Sequence, residues 1–241
     1  MDIRWEEFGW EELGDGIGRR RLPVWDATVA LVAGSTGALL FDTGASLREG
    51  AQIRRQAQAL LGGRRVTHIA LSHPHFDHVL GTGAFAGVRV YAAAGMDRIL
   101  NTGREELARD AVRHGLPEGD AASSTEIVIR PHHLITHDWS LDLGGRDVLL
   151  SLAGPAHSPY DLVALVPDAG LVLCGDLVEE SGEPQAGPDA TPGLWPHALD
   201  RLLELGGPRP DVRYVPGHGG VVDGAFVRAQ RSALAERFGV A

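Results

Sequence analysis

The sequence contains no lysine, so all 22 of its basic residues are arginine. This absence excludes lysine chemistry of every kind, including a Schiff base to a substrate and a lysine anchor for a substrate carboxylate. The chain has a single cysteine, Cys174, and therefore cannot form an internal disulfide. It also lacks an uninterrupted apolar run of about 18 residues, which argues against a membrane span.

Positive charge is scarce as well. Acidic residues outnumber basic ones by 32 to 22, and the formal net charge of −10 repels polyanions, which disfavours nucleic acid as a partner. The first residues, MDIRWEEFGWEELGDG, contain no basic segment before an apolar stretch, so we expect no secretory signal and a cytoplasmic location. The length of 241 residues and the hydrophobic content of 44% suit a single domain over residues 1–241.

Short apolar runs alternate with segments of helical spacing along the chain. The short runs predict strands over residues 28–33, 38–41, 66–72, 88–92, 141–143, 148–152, 162–166, 171–174 and 212–215. The helical spacing predicts helices over residues 46–61, 95–114, 194–205 and 225–237. Residues 115–135 give no clear prediction, and the segment 181–193, rich in proline and glycine, predicts a surface loop. This order suits two sheets covered by helices on their outer faces.

The most informative string is HPHFDH at residues 73–78, which directly follows a predicted strand. Imidazole nitrogens and carboxylate oxygens are ligands that suit zinc and related divalent metals. We expect His73 and His75 to point to one side of an extended segment, with Asp77 and His78 reaching a neighbouring position. These candidate ligands are too many for one open catalytic ion, so the string predicts two ions.

Three further residues follow predicted strands and lie beside glycine or proline, namely His157, Asp176 and His218. Such positions are where loops place functional side chains on a rigid scaffold. A lone histidine is more often a surface or core residue than a ligand. The cluster favours a metal site, because imidazoles close together would repel one another on protonation and have no obvious structural purpose.

With these residues the chain resembles the metallo-β-lactamase superfamily, from the FDTG turn at Asp42 to the PGHG turn at His218. The resemblance implies an α+β fold, a four-layer αββα sandwich, with the site along one edge of the two sheets. It also implies two zinc ions per chain, with iron or manganese as alternatives. The first ion is assigned to His73, His75 and His157, the second to Asp77, His78 and His218, and Asp176 bridges them. Asp42 would orient a ligating imidazole from behind.

The resemblance further implies hydrolysis of a small ester, thioester or lactone by a hydroxide that bridges the metals. Asp77 would be the catalytic residue that orients this hydroxide and carries its proton to the leaving group. Asp176 stands where many true β-lactamases have a cysteine, which favours the glyoxalase-II-like and lactonase-like branches. Tyr160 and Trp195 are candidate substrate contacts; the alternatives are a surface-packed tyrosine and a core tryptophan. The partner is then a small molecule, and nothing in the sequence indicates an oligomeric state.

Two other functions are consistent with parts of the pattern. A mononuclear iron persulfide dioxygenase of the same fold keeps the string but binds one iron through two histidines and the aspartate. A metal-binding protein without catalysis is disfavoured, because none of the seven ligand positions is missing.

We expect His75→Ala to lose metal and activity while leaving the fold largely intact. The change removes one metal-binding nitrogen from a loop rather than from the core. Elemental analysis and circular dichroism measure the two effects separately. Full activity in a variant that still holds two metals would refute the site assignment.

Overall fold

A computed structural model describes residues 4–240 of the chain. Met1–Ile3 and Ala241, the ends of the predicted domain span of 1–241, lie outside the described residues. None of the helices in the described part combines the length and apolar character needed to cross a membrane. That the whole chain forms a single domain stays a prediction.

Within residues 4–240, seven strands form the first sheet in the order in which they occur along the chain. They are β1 (Glu11–Gly14), β2 (Ile17–Arg21), β3 (Thr28–Ala33), β4 (Ala38–Phe41), β5 (His68–Ala70), β6 (Arg89–Ala93) and β7 (His133–Ile135). Strands β1 to β4 pair antiparallel, whereas β4 to β7 pair parallel. The carboxyl ends of β4 and β5 therefore lie at the same edge, where the chain continues to Asp42 and His73.

Six strands of the described chain form the second sheet. They are β8 (Trp139–Asp142), β9 (Asp147–Leu152), β10 (Leu162–Val166), β11 (Leu171–Glu179), β12 (Arg213–His218) and β13 (Val222–Asp223). Their spatial order is β13-β12-β11-β10-β9-β8, and only β11 with β12 is a parallel pair. This parallel pair places Asp176 and His218 on neighbouring strands.

Helices cover the outer faces of both sheets. They are α1 (Leu47–Leu60), α2 (Phe76–Val79), α3 (Met96–Thr102), α4 (Arg104–Arg113), α5 (Glu118–Glu126), α6 (Trp195–Gly206) and α7 (Gly224–Phe238). Single turns of 3-10 helix occur at Trp5–Phe8, Leu80–Ala84, Pro167–Ala169 and Pro192–Leu194. Apolar residues of α1 to α5 pack with the first sheet, and those of α6 and α7 pack with the second.

Side chains that point alternately to the two faces of each strand produce the layers. In β4, Leu40 faces the helices while Leu39 and Phe41 face the other sheet. In β11, Leu173 faces the first sheet and Val172 faces α6 and α7. Successive side chains of a strand point to opposite faces, so strands with apolar residues at every position are buried on both faces. The result is four layers, helix on sheet on sheet on helix.

The structure differs from the predicted elements in several places. Strands β1 and β2 were not predicted because their sequences, EELG and IGRRR, lack an apolar pattern; Arg19 is nevertheless buried, paired with Glu11 at 2.7 Å. The predicted helix over 95–114 is two helices that meet at Gly103. The unassigned segment 115–135 contains α5 and β7, and β11 extends beyond the predicted 171–174.

We expect Gly81→Ala to destabilise the fold by about 3 kcal/mol, because a methyl group there would collide with the carbonyl oxygen of Thr43. Gly119→Ala is the matched control: Gly119 lies in α5, and a methyl group would meet nothing within 4 Å. It should leave stability unchanged or raise it by up to about 1 kcal/mol. Urea unfolding measures both, and equal stabilities of the two variants would contradict the close packing at Gly81.

Candidate metal centre

All seven side chains predicted as metal ligands come together where the two sheets meet at one edge. They form two groups, and within each group the ligand atoms lie within 4.8 Å of one another. The groups are His73, His75, His157 with Asp176, and Asp77, His78 with His218. Asp176 reaches both groups, since its Oδ1 lies 3.1 Å from His78 Nε2 and its Oδ2 lies 3.4 Å from His157 Nε2.

The string HPHFDH joins strand β5 to the short helix α2. His73 is buried directly after the strand, and Asp77 and His78 lie within the helix. The backbone N–H and the hydroxyl of Thr43 both donate to the carbonyl of His78, at 2.8 and 2.9 Å. Because Thr43 follows β4, the end of β4 is hydrogen-bonded to α2, the helix that follows the parallel neighbour strand β5.

A bulge in β11 aims Asp176. The register of β11 against β12 shifts between Leu173 and Gly175, and Gly175 has a φ of 53°. A side chain at this position would place its Cβ 2.8 Å from Cβ of Ser72, so glycine allows the two sheets to approach. Bulges redirect the following side chains, and here the strand turns Asp176 towards the histidines of the other sheet.

Asp42 holds two of the histidines from behind. It is buried, with a left-handed φ of 62°, and its carboxylate accepts from Ser72 N–H at 2.8 Å and from Ser72 Oγ–H at 2.7 Å. It also accepts from His78 Nδ1 at 2.9 Å. Since the Ser72 proton is directed to Asp42, the hydroxyl oxygen accepts from His73 Nδ1 at 2.8 Å. Both rings therefore turn Nε2 towards the centre.

The other three imidazoles also have an acceptor behind them. The pairs are His75 Nε2 with Asp189 Oδ2 at 3.1 Å, His157 Nδ1 with the Gln185 carbonyl at 3.1 Å, and His218 Nδ1 with the Trp25 carbonyl at 2.8 Å. Each acceptor fixes its ring with the second nitrogen turned towards the centre, where a bound metal would replace the proton on that nitrogen.

The electrostatics of the centre favour a cation. Burial lowers the pKa of His73 well below its ordinary value and lowers the pKa of His157 to about 4, so both rings are neutral. Burial would also lower the pKa of His218, but attraction by Asp176 outweighs it and brings the pKa to about 9. Burial would raise the pKa of Asp176, yet His78 and His218 hold it well below its usual range. Asp176 therefore stays charged although it is buried, and it attracts positive charge, whether from the protonated His218 ring or from a bound cation in place of that proton.

The donor atoms fit a metal. In the described part of the chain, His73 Nε2, His78 Nε2 and Asp176 Oδ1 are buried and form no well-aligned hydrogen bond, although the last two atoms lie 3.1 Å apart. Unpaired buried polar atoms cost free energy, and a bound cation would remove that cost. Five imidazoles and two carboxylates are the donor set of zinc and related metals. Cys174 is not among them: its thiol packs against the α6–α7 layer, and burial raises its pKa.

Of the two predicted substrate contacts, Trp195 lies in the core and Tyr160 is partly buried. Trp195 is fully buried, donates from Nε1 to the Leu177 carbonyl at 3.0 Å, and stands edge-on to the His157 ring at 5.3 Å. With no face open to a substrate, it corresponds to the core alternative. Tyr160 is partly buried against the core of the first helical layer and close to Gly95. Its contact with a substrate stays a prediction.

Apart from Asp42, which was expected behind an imidazole, the groups that support the histidines have no signal in the sequence. Asp189 lies in the loop between β11 and α6, which has no periodic pattern. Gln185 and Trp25 act through backbone carbonyls, which every residue has. Ser72 was the exception, because its position directly before HPHFDH could have suggested a supporting role.

Comparisons with known proteins agree with this architecture. The model of the metallo-beta-lactamase superfamily matches residues 22–218. The probable metallo-hydrolase YqgX of Bacillus subtilis (strain 168) is 30% identical over 166 residues, 68% of this chain and 72% of the relative. The metallo-β-lactamase FIM-1 from Pseudomonas aeruginosa, solved in its mono-zinc form, has a TM-score of 0.71 at 20% identity, covering 96% of each chain.

A metallo-β-lactamase from Hirschia baltica has a TM-score of 0.68 at 16% identity, and the match covers 93% of this chain and 96% of that one. At these identities the likeness concerns the fold. The predicted α+β four-layer sandwich is thereby confirmed.

We expect Asp189→Ala to weaken zinc binding about 10- to 100-fold, because His75 loses the acceptor that fixes its orientation. Competition with a chelating dye measures this affinity. Asp211→Ala is the control, since it removes an exposed carboxylate whose salt-bridge partner among residues 4–240 is Arg209, at 2.9 Å. Equal zinc affinities of the two variants would show that Asp189 does not orient His75.

Proposed function

The chain belongs to the metallo-β-lactamase superfamily and is a metal-dependent hydrolase, and on that premise we propose that it holds two zinc ions and cleaves a small ester, thioester or lactone. The observation that carries the proposal is the pair of ligand groups with Asp176 between them. The first zinc would be held by His73, His75 and His157, the second by Asp77, His78 and His218, and Asp176 would hold both.

Two bound zinc ions supply a hydroxide nucleophile at neutral pH and polarise the substrate carbonyl. The residues of the chain keep this chemistry in place. The acceptors behind the imidazoles fix the ring orientations, so the ligand atoms need no rearrangement when a substrate arrives. Asp42 and Ser72 do this for His73 and His78.

Asp77 is the proposed proton carrier. Its carboxylate is largely buried, and Oδ2 lies 3.5 Å from both His78 Nε2 and His218 Nε2. In this position it can accept the proton of an attacking water and return it to the leaving oxygen or sulfur. The proposal gives Asp77 this second role beside that of a ligand.

The rival function is persulfide oxidation at one iron, held by two histidines and an aspartate. The unpartnered atoms favour two ions, because His73 Nε2 and His78 Nε2 belong to different groups. The absence of a cysteine ligand supports the ester, thioester and lactone branches over the true β-lactamases. The small-molecule substrate and the cytoplasmic location stay predictions.

We expect protein purified without added metal to contain close to two zinc ions per chain. A chelator should abolish hydrolysis of esters, thioesters or lactones, and added zinc should restore it by displacing the protons from the ligand imidazoles. Elemental analysis measures the metal content, and a hydrolysis assay measures the activity. About one iron per chain, with oxygen consumed in the presence of a persulfide, would replace the proposal with its rival.

A further inference from the structure

A cavity of about 250 Å³ opens beside the candidate metal centre. His157, Asp176 and His218 line it on the side of the centre, and Glu179 and Glu183 line it further out. Asp176, whose Oδ1 is buried and forms no well-aligned hydrogen bond, connects the cavity directly to the ligand groups. A substrate that reaches the metals through this cavity passes the two glutamates.

Hydrogen bonds hold one of the two carboxylate oxygens of Glu179 in place. It lies at the end of β11, paired in the sheet with His218, and its Oε1 accepts from Ser181 N–H at 3.0 Å and from Ser181 Oγ–H at 2.8 Å. Its own N–H donates to the side chain of Gln230 at 3.0 Å. Within residues 4–240 its Oε2 has no hydrogen-bond donor. This oxygen is available to a ligand.

No arginine of the described residues neutralises this wall of the cavity. Arg21, at the end of β2, is paired with Asp26 at 2.6 Å. Arg237 donates to the carbonyl of Pro184 at 2.9 Å rather than to a carboxylate. Neither Glu179 nor Glu183 forms a salt bridge within residues 4–240, and lysine is absent from the chain. An anionic group beside Glu179 and Glu183 would therefore meet like charges and no arginine or lysine anchor.

We propose that Glu179 and Glu183 select substrates whose part in this cavity is neutral or cationic, and that they reject carboxylate-bearing esters, thioesters and lactones. The inference rests on the proposed metal centre and narrows its substrate class. Two zinc ions attract anions in general, but Asp77 and Asp176 offset part of that charge and the two glutamates offset more. Like charges that face one another in a partly desolvated site cost enough to exclude a partner.

The test uses three small thiols that share a zinc-binding thiolate and differ in their tails: 3-mercaptopropionate (anionic), 2-mercaptoethanol (neutral) and cysteamine (cationic). Their affinities are measured on the cobalt-substituted protein from the thiolate-to-cobalt absorption band. The variant is Glu179→Gln combined with Glu183→Gln, because glutamine still accepts from Ser181. Glu204→Gln, at the far end of α6 and 72% exposed, is the matched control.

We expect the double variant to bind 3-mercaptopropionate about tenfold more tightly than the unchanged protein at low salt, and cysteamine more weakly. Binding of 2-mercaptoethanol and all affinities of Glu204→Gln should change less than twofold. Comparing each thiol between proteins cancels the intrinsic acidities of the thiols. The differences should shrink at high salt. Equal changes for all three tails, or no change at all, would overturn the inference.

Hydrolysis assays separate this inference from the proposed function. Activity on esters, thioesters or lactones without the thiol pattern would leave the proposed function standing and remove the charge selection. If the zinc-loaded protein hydrolyses none of these compounds but shows the thiol pattern, the charge selection would stand and the proposed function would be refuted.

Discussion

The site depends on the hydrogen bonds that the buried carboxylate of Asp42 accepts. It accepts three hydrogen bonds, two from Ser72 and one from His78, and thereby ties the end of β4 to the end of β5 and to helix α2. A left-handed backbone costs about 1–3 kcal/mol for a residue with a side chain, although aspartate tolerates it better than most. These hydrogen bonds offset the cost and set the directions of the His73 and His78 rings.

The second requirement is contact between the two sheets. The first sheet supplies the string HPHFDH, while the second supplies Asp176 and His218 from its parallel pair. The apolar side chains between the sheets hold these halves together, and each fully buried leucine contributes about 1.5–3 kcal/mol. Gly175 permits the close approach at the point where Asp176 leaves the strand. The geometry of the centre is therefore a property of the whole sandwich.

The sequence was informative where chemistry and periodicity coincide. HPHFDH, Asp176 and His218 could be identified because rare ligand residues follow apolar strands, and the layers followed from the order of elements. Strands β1 and β2 could not, because the burial of Arg19 depends on a contact distant in sequence, its hydrogen bond to the Gly219 carbonyl at 2.7 Å. The sequence predicts a substrate contact at Trp195, since an aromatic residue beside a loop has the same sequence pattern whether it faces solvent or His157.

The loop between β11 and α6 both supports the candidate metal ligands and lines the cavity, two functions that usually belong to different segments. It provides the Gln185 carbonyl and Asp189 behind two imidazoles, and it also carries Glu183 into the cavity. Loops normally diverge freely and so allow enzymes of one fold to acquire new substrates. In this protein, substitutions in the loop that widened the substrate range would also weaken metal binding. Its evolution is therefore restricted to changes that leave the backbone path from Gln185 to Asp189 in place.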